Sequence, residues 1–370
     1  MNEVRLCFEQ VSFPPSPLPP IHIFIVNLQN IMELSNKKIL VTGASGFIGS
    51  FIVERALELG AEVWAAVRPS TSKKYLQDVR IRFIELNLGN ATALERQLSD
   101  FHAVEGAWDY VIHAAGATKC ANPNDFYRVN TEGTANLARL LLQTSTLRGR
   151  FVFMSSLSVW GAVHEADYAD ISEQDIPQPN TAYGKSKLEA ELVLAQLPEL
   201  DYVILRPTGV YGPREKDYFL MAKSIAGHID FAVGYRRQDI TFIYVRDLVE
   251  ATLAALTRGT RGRGYFLTDG QVYNSRDFSD LLQKELGVRG VLHITAPIWF
   301  LRCVCTVGGW WGKLTGKVTA LNMDKFNIMR QRNWRCDIRP AQEDLGFSPK
   351  VQLAEGVKDS VAWYKKEGWI

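Results

Sequence analysis

Tyr183 and Lys187 stand four residues apart in the run Tyr183-Gly184-Lys185-Ser186-Lys187, a spacing that puts both side chains on one face of a helix. There they can work as a single acid and base. A free phenol, with a pKa near ~10, is a poor proton donor or acceptor at neutral pH. A nearby ammonium favours the phenolate, so Lys187 is expected to lower the tyrosine pKa towards the working range. Ordinary solvated helix faces carry the same spacing, so the pair needs support from elsewhere in the chain. Phe151-Val152-Phe153-Met154-Ser155-Ser156 supplies it: an apolar strand ending in hydroxyls, a helix and a loop before Tyr183. Serines after a strand are commonly turn or cap residues. Beside a tyrosine–lysine pair, one of them can instead hydrogen-bond a substrate oxygen.

A second constellation precedes this one. Thr42-Gly43-Ala44-Ser45-Gly46-Phe47-Ile48-Gly49 follows the apolar run Lys38 to Val41 and opens a periodic segment from Phe47 to Leu59. Strand, glycine turn and helix follow in the order a dinucleotide site requires. Gly43, Gly46 and Gly49 permit a tight turn, close backbone approach to a pyrophosphate, and close packing of helix on strand. Ser45, Phe47 and Ile48 belong to the same loop and helix start, where free N–H groups bind phosphates.

Both constellations need a sheet to hold them. From Lys37 onwards the chain alternates strand and helix in βα units, which predicts a parallel sheet with helices on both faces. Strands are expected at Lys38–Thr42, Glu62–Val67, Arg82–Leu86, Tyr110–Ala114, Phe151–Ser155 and Tyr202–Leu205. Helices fall between them, notably Asn124–Thr144 and Thr181–Leu197. After Arg206-Pro207 the rhythm breaks into loops, a helix around Tyr218–Ala226, a return to the sheet near Thr241–Tyr244, and a mixed tail from Gly259.

From Lys37 to Ile370 the chain resembles the extended short-chain dehydrogenase/reductase superfamily, also called the NAD-dependent epimerase/dehydratase family. The marks are TGASGFIG at 42–49, HAAG at 113–116, Asn130 in YRVNTEGT, SSLSVWG at 155–161, YGKSK at 183–187, RPTGVYGP at 206–213 and FIYVRDLVEA at 242–251. Their number and order are specific for fold and cofactor class and much less so for substrate. The resemblance implies a Rossmann-type doubly wound parallel sheet with a smaller, C-terminal substrate-binding domain. It divides the chain into a cofactor domain, 32–205 plus 239–258, and a substrate domain, 206–238 plus 259–370.

Roles follow by resemblance. Ser156 would hydrogen-bond the substrate oxygen, a choice over Ser155 and Ser158 that rests on matching Val159-Trp160-Gly161 to the family's valine-tyrosine-glycine. Tyr183 would give or take the proton, and Lys187 would bind the nicotinamide ribose as well as lowering the tyrosine pKa. Asn130 would support the active-site water or main chain. Leu88, Ala114, Ala115 and Gly116 join the cofactor site, and Pro207, Thr208, Gly209 and Val210 should line the nicotinamide. Asn87 stands where relatives commonly place an aspartate against the adenine amino group; asparagine can still accept that bond. A homodimer is expected, with a small-molecule substrate.

Cofactor choice turns on the end of the second strand, where an acidic side chain would hold an NAD ribose. The chain there reads Ala66-Val67-Arg68-Pro69-Ser70-Thr71-Ser72-Lys73-Lys74, with no carboxylate. Arg68, helped by Ser70 or the lysines, is suited to a 2′-phosphate, so NADP(H) is expected ahead of NAD(H).

A net charge of +2 offers no electrostatic case for nucleic acid. Five cysteines, at 7, 120, 303, 305 and 336, show no paired zinc spacing, so no metal is expected and the thiols read as reduced, in a cytoplasm. Residues 1–31 differ from the rest: Phe13 to Pro20 is too rich in proline for a helix, Ile21 to Val26 is too short to span a membrane, and Glu3 and Glu9 spoil a secretory leader. They read as a start site placed upstream of Met32, or as a disordered extension.

Three classes of function fit: a reductase or dehydrogenase with net turnover of cofactor, an epimerase that returns the hydride to its substrate, and a non-catalytic NADP(H) sensor. The intact Ser156–Tyr183–Lys187 set argues against the sensor. Sugar 4,6-dehydration would need an aspartate and glutamate where Leu157 and Ser158 stand. Epimerases mostly keep tightly bound NAD, which Arg68 disfavours, so the reductase is preferred. HAAGATK (113–119), YRVNTEGTANL (127–137) and the tail NWRCDIRPAQEDLGFSP (333–349) resemble the 3β-hydroxysteroid dehydrogenase and dihydroflavonol reductase branch most. Thr118, Lys119 and His164 are expected on loops at the substrate mouth. Val291 to Trp311 holds three of the nine tryptophans, but His293, Pro297 and Arg302 make a spanning helix improbable. It reads as a core helix, or as an apolar lid or membrane-resting patch built from Ile298 to Leu301, Trp310 and Trp311, which would imply a bulky hydrophobic, steroid-like substrate.

Overall fold

The computed structural model describes residues 33–315 and 322–370; the reading of residues 1–31 lies outside them. Strands β1 (Lys38–Thr42), β2 (Glu62–Val67), β3 (Arg82–Glu85), β4 (Tyr110–His113), β5 (Phe151–Met154) and β6 (Tyr202–Pro207) form where the apolar runs predict them. Between them lie α1 (Phe47–Glu58), α2 (Ala91–Glu105), α3 (Pro123–Phe126), α4 (Gly133–Gln143) and α5 (Ala182–Ala195). Arg82–Leu86, Tyr110–Ala114 and Phe151–Ser155 each stop one residue early, and β6 runs on to Pro207. The helix expected over Asn124–Thr144 contains a π-helical turn, Tyr127–Glu132, of the kind that often marks functional positions.

Beyond β6 come β7 (Gly209–Tyr211), α6 (Asp217–Ala226), β8 (Ile229–Val233), β9 (Asp239–Ile240), β10 (Phe242–Tyr244), α7 (Val245–Ala254), β11 (Gly264–Leu267) and β12 (Tyr273–Asn274). The tail adds α8 (Asp277–Leu286), β13 (Leu292–Ala296), α9 (Ile298–Thr315), α10 (Met323–Arg330), α11 (Arg339–Leu345) and α12 (Leu353–Lys366). The main sheet has seven strands, all parallel, in the order β11-β6-β5-β4-β1-β2-β3. This corrects the expected return to the sheet at Thr241–Tyr244: β10 pairs only with β7, in a separate two-stranded ribbon. The seventh strand is β11, from the segment after Gly259 expected in the substrate part, and it joins β6 through Gly264↔Ile204 to Leu267↔Pro207.

Strand alternation builds the two cores. Leu40, Val111, Phe151, Phe153 and Ile204 enter one buried cluster with residues of α2, α4 and α5. Their neighbours Ile39, Val41, Ile112, Val152 and Leu205 enter the other, with residues of α1, α7 and α11. Period 2 sends successive side chains to opposite faces, so a sheet covered on both sides reads as continuous apolar runs. The order reverses between β1 and β4, and in open parallel sheets such a switch point opens a crevice at the C-terminal strand ends. Val291–Trp311 proves to be neither one core helix nor a lid: it forms β13, paired in parallel with β8, and then α9. Among the described residues no helix is long and apolar enough to cross a membrane.

Candidate active site

The crevice at the switch point has a volume of about 840 Å³ and is lined from β1, β2, β3 and β4. Gly43, Ser45, Gly46, Arg68, Asn87, Leu88, Ala114, Ala115 and Gly116 line it. Phe47, Ile48 and Gly49 do not: they start α1 behind the turn. Gly43 has a positive φ of 69°, and a Cβ there would lie 2.6 Å from the Ala114 carbonyl oxygen. A Cβ on Gly49 would lie 2.1 Å from the Gly43 carbonyl oxygen. The turn is therefore a cradle that only glycine fits, floored by backbone, and it suits a dinucleotide pyrophosphate.

Behind the cradle, Thr42 Oγ1 lies 2.7 Å from His113 Nδ1 and accepts from Ala115 N at 3.2 Å. His113 Nε2 lies 2.9 Å from Thr134 Oγ1. Burial, with the Lys187 charge nearby, pushes the imidazole down to about 3, so His113 is a neutral brace between β1, β4 and α4. The sequence reading passed over it, although HAAG begins with it.

Tyr183 and Lys187 sit on the first turns of α5, whose N-terminus is capped by Thr181 Oγ1 accepting from Gly184 N at 2.9 Å. A Cβ on Gly184 would lie 2.4 Å from the Ser158 carbonyl oxygen, so glycine lets this helix approach the turn bearing Ser156. The Ser156 hydroxyl hydrogen-bonds the Tyr183 phenol. Ser155 instead donates to Glu191 and is buried. Ser156 also serves as the expected cap, accepting from Ser158 N at 3.2 Å.

The tyrosine pKa corrects the sequence reading. Burial pushes the phenol up to about 12, against the smaller lowering by the Ser156 hydrogen bond. Lys187 does not bring it down, and its ammonium donates to the Met154 carbonyl at 2.8 Å. Burial lowers Lys187 itself to about 8, opposed by the charge of Glu191. Asn130 is buried and fully bonded: its Oδ1 accepts from Ala117 N at 2.8 Å and its Nδ2 donates to Ala117 O and Ser186 Oγ, each at 3.0 Å. It joins the loop after β4 to α5 and positions both without facing a cleft.

A second cleft, about 330 Å³, opens beside Ser156, and Pro207, Thr208 and Gly209 line it. Val210 turns into the core instead. Tyr183 reaches this cleft through Ser156, while Lys187 Nζ would lie 3.2 Å from a Cβ on Gly116 at the edge of the first. The pair thus stands at the junction of the two. Tyr218, Met221, Phe231, Phe242, Phe278, Met329 and Trp334 form most of the second wall, with Gln238, Thr241 and Ser275 as polar points, and among the described residues no charged side chain lines it. None of Ile298 to Leu301, Trp310 or Trp311 lines it, so the lid expected from them is absent there. His164 turns to Asp175 at 2.9 Å, and Lys119 pairs with Asp217. Among the described residues no cluster of His, Cys, Asp and Glu could hold a metal.

At the far end of the first cleft, Arg68 is exposed beside Ser70 and Thr71, and its guanidinium has no acidic partner among the described residues. Glu85 also lines this end, because the parallel register sets it against Val67. Sequence reasoning missed Glu85: only strand pairing brings it there. Arg128 and Val129, from the π-helical turn, complete the lining and were likewise missed, although they directly precede Asn130.

The model of the NAD dependent epimerase/dehydratase family matches residues 39–274. Among curated proteins, the chain is 28% identical to a UDP-glucose 4-epimerase of Vibrio cholerae, over 88% of this chain and 94% of that one. It is 23% identical to a decarboxylating sterol-4-alpha-carboxylate 3-dehydrogenase of Dictyostelium discoideum, over 87% and 99%. Among solved structures, a dTDP-glucose 4,6-dehydratase of Bacillus anthracis in complex with NAD shares the fold with a TM-score of 0.70 at 20% identity, covering 90% of this chain and 98% of that one.

Proposed function

The chain belongs to the NAD dependent epimerase/dehydratase family, the extended short-chain dehydrogenases and reductases, and from that premise we propose an NADP(H)-dependent oxidoreductase that interconverts a secondary alcohol and a ketone on a bulky hydrophobic, steroid-like substrate. The observation that carries this reading is the cleft beside Ser156, whose lining among the described residues holds no charged side chain. A nucleotide sugar needs cations for its diphosphate, whereas a sterol needs apolar walls and a few polar points. On that ground the sterol dehydrogenase is the better guide to substrate than the UDP-glucose epimerase.

A bound nicotinamide dinucleotide supplies the hydride in such a reaction. Gly43, Ser45 and Gly46 would cradle its pyrophosphate, with Asn87 and Leu88 at the adenine and Ala114 to Gly116 beneath the chain of the molecule. Ser156 holds the substrate oxygen, Tyr183 passes it a proton or takes one, and Lys187 would bind the nicotinamide ribose. Asn130 and His113 keep the β4 loop in place. A second copy of the chain is the macromolecular partner expected with this reading.

Turnover of steroid ketones with NADPH, and none of UDP- or GDP-sugars, is the expected result of a substrate panel. Turnover of a nucleotide sugar without steroid activity would overturn the hydrophobic-substrate reading and restore the epimerase.

Arg68, with Ser70 and Thr71 beside it, supports the preference for NADP(H). Glu85 supports the competing choice, since a carboxylate suits a ribose hydroxyl and opposes a 2′-phosphate. Arg68→Ala should lower the ratio of kcat/KM for NADPH over NADH by about ten- to a hundredfold, the scale of a charge-assisted hydrogen bond. An unchanged ratio would assign the cofactor end to Glu85 and NAD(H). Purified protein retaining tightly bound NAD would count for the epimerase.

A further inference from the structure

The second cleft shares a wall with an apolar face that no described residue covers. Parallel pairing sets Leu292 beside Ile229 and Ile294 beside Phe231, and by strand alternation these four lie on one face of the β8–β13 ribbon. All four are exposed, Leu292 at 62% and Phe231 at 59%. The opposite face is tied down: Asp230 is buried and meets His293 at 3.1 Å and Ser279 at 3.2 Å. Pro297 alone separates the ribbon from α9, which buries Leu301 and Cys305 against Val233, Phe326 and Met329. Elsewhere on the helix large apolar side chains are exposed, with Trp299 69%, Val307 65%, Trp310 62% and Trp311 60%. Phe231, Val233 and Met329 also line the cleft. One thin layer of side chains therefore separates the cleft from this face, and Phe231 belongs to both.

Charge distinguishes the occupant. Among the described side chains of residues 289–330, Arg289, Arg302, Lys325 and Arg330 stand against a single acid, Asp324, in a chain whose whole net charge is +2. Asp324 is turned inward, accepting from Ala182 N at 3.0 Å. Arg302 and Arg330 are exposed. A second copy docking through this face about a two-fold axis would set basic groups against basic groups. Anionic head groups would neutralise them, and tryptophan favours the water–lipid boundary.

We propose that the exposed face of β8, β13 and α9 docks on an anionic lipid surface and sets the mouth of the apolar cleft at the lipid boundary. Docking goes beyond the redox reading; delivery of an apolar substrate from the lipid into the cleft rests on it.

Flotation of the full chain with vesicles tests the docking without turnover, so failure here leaves the redox reading standing, and a failed substrate panel leaves the docking standing. The chain should float with phosphatidylcholine–phosphatidylglycerol vesicles at low salt and much less with phosphatidylcholine alone or at high salt. The combined variant Trp299→Ser, Trp310→Ser, Trp311→Ser should bind about tenfold or more weakly. Its melting temperature and NADPH affinity should stay unchanged, which excludes unfolding as the cause. Arg302→Glu with Arg330→Glu should abolish the preference for anionic vesicles. The docking is overturned if the native chain does not float with anionic vesicles or if the tryptophan variant floats equally well. It is also overturned if the native chain leaves vesicles unbound but forms an oligomer that the tryptophan variant dissolves, which would assign the face to a second copy.

Discussion

Tyr183→Phe is expected to lower kcat by about 10²–10⁴-fold, the usual contribution of a positioned general acid or base. The fold and the NADP(H) affinity should survive, because the ring keeps its edge contact with Phe126 and the cradle is built from other segments. Steady-state rates together with a cofactor titration separate these effects. A variant within tenfold of the native kcat would remove Tyr183 from the role. The sign of the pH dependence follows from the half-buried phenol, raised to about 12. Reduction draws on the protonated phenol, present throughout the neutral range. Alcohol oxidation needs the phenolate, so its kcat/KM should climb with pH while the reduction rate stays level. Lys187, lowered to about 8, keeps its charge only below that region in the free protein. Lys187→Met should therefore leave the rise in the oxidation profile where it is. An oxidation rate that falls as pH rises would contradict the assignment of the base.

Gly49→Ala is expected to abolish cofactor binding and to destabilise the protein. Its Cβ would meet the Gly43 carbonyl oxygen at 2.1 Å, the Gly43 carbonyl carbon at 2.7 Å and the Ala44 Cα at 2.9 Å. All three are backbone atoms, so no side chain can swing aside and α1 must lift from the turn. Overpacking of this kind costs about 1–3 kcal/mol, and more where backbone must move. Gly46→Ala is the milder companion, because its Cβ would meet the Gly43 carbonyl oxygen at 3.1 Å. NADPH titration and thermal melting of both variants should rank Gly49→Ala well below Gly46→Ala. Native affinity in Gly49→Ala would mean that the glycine cradle does not hold the cofactor.

Legibility differed between parts of the molecule for identifiable reasons. The Gly43–Gly49 turn could be read because its requirement is local: strand, turn and helix are contiguous, and the clash sits within a few residues. Tyr183 and Lys187 could be paired because helix geometry alone joins residues four apart. Strands β1 and β2 emerged with their observed ends, since runs buried on both faces stand out against polar loops. Strand β11 was missed because four residues, Gly264–Leu267, carry little signal of their own, and only pairing with β6 makes them a sheet edge.

The sequence by itself determined the doubly wound sheet, the glycine cradle, the serine–tyrosine–lysine set and the family, because each rests on short-range periodicity or contiguous motifs. Tertiary structure alone decided the rest. Whether the tyrosine pKa falls or rises depends on how far folding desolvates the phenol. The placement of Glu85 beside Val67 is a matter of strand register. The uncharged cleft is assembled from segments between Ser156 and Trp334, none of which is apolar throughout. The fate of Val291–Trp311 turned on which side of α9 found a partner: Leu301 and Cys305 did, and the tryptophans did not. Burial and electrostatics are properties of what packs around a group, and that is set by contacts between residues far apart in the chain.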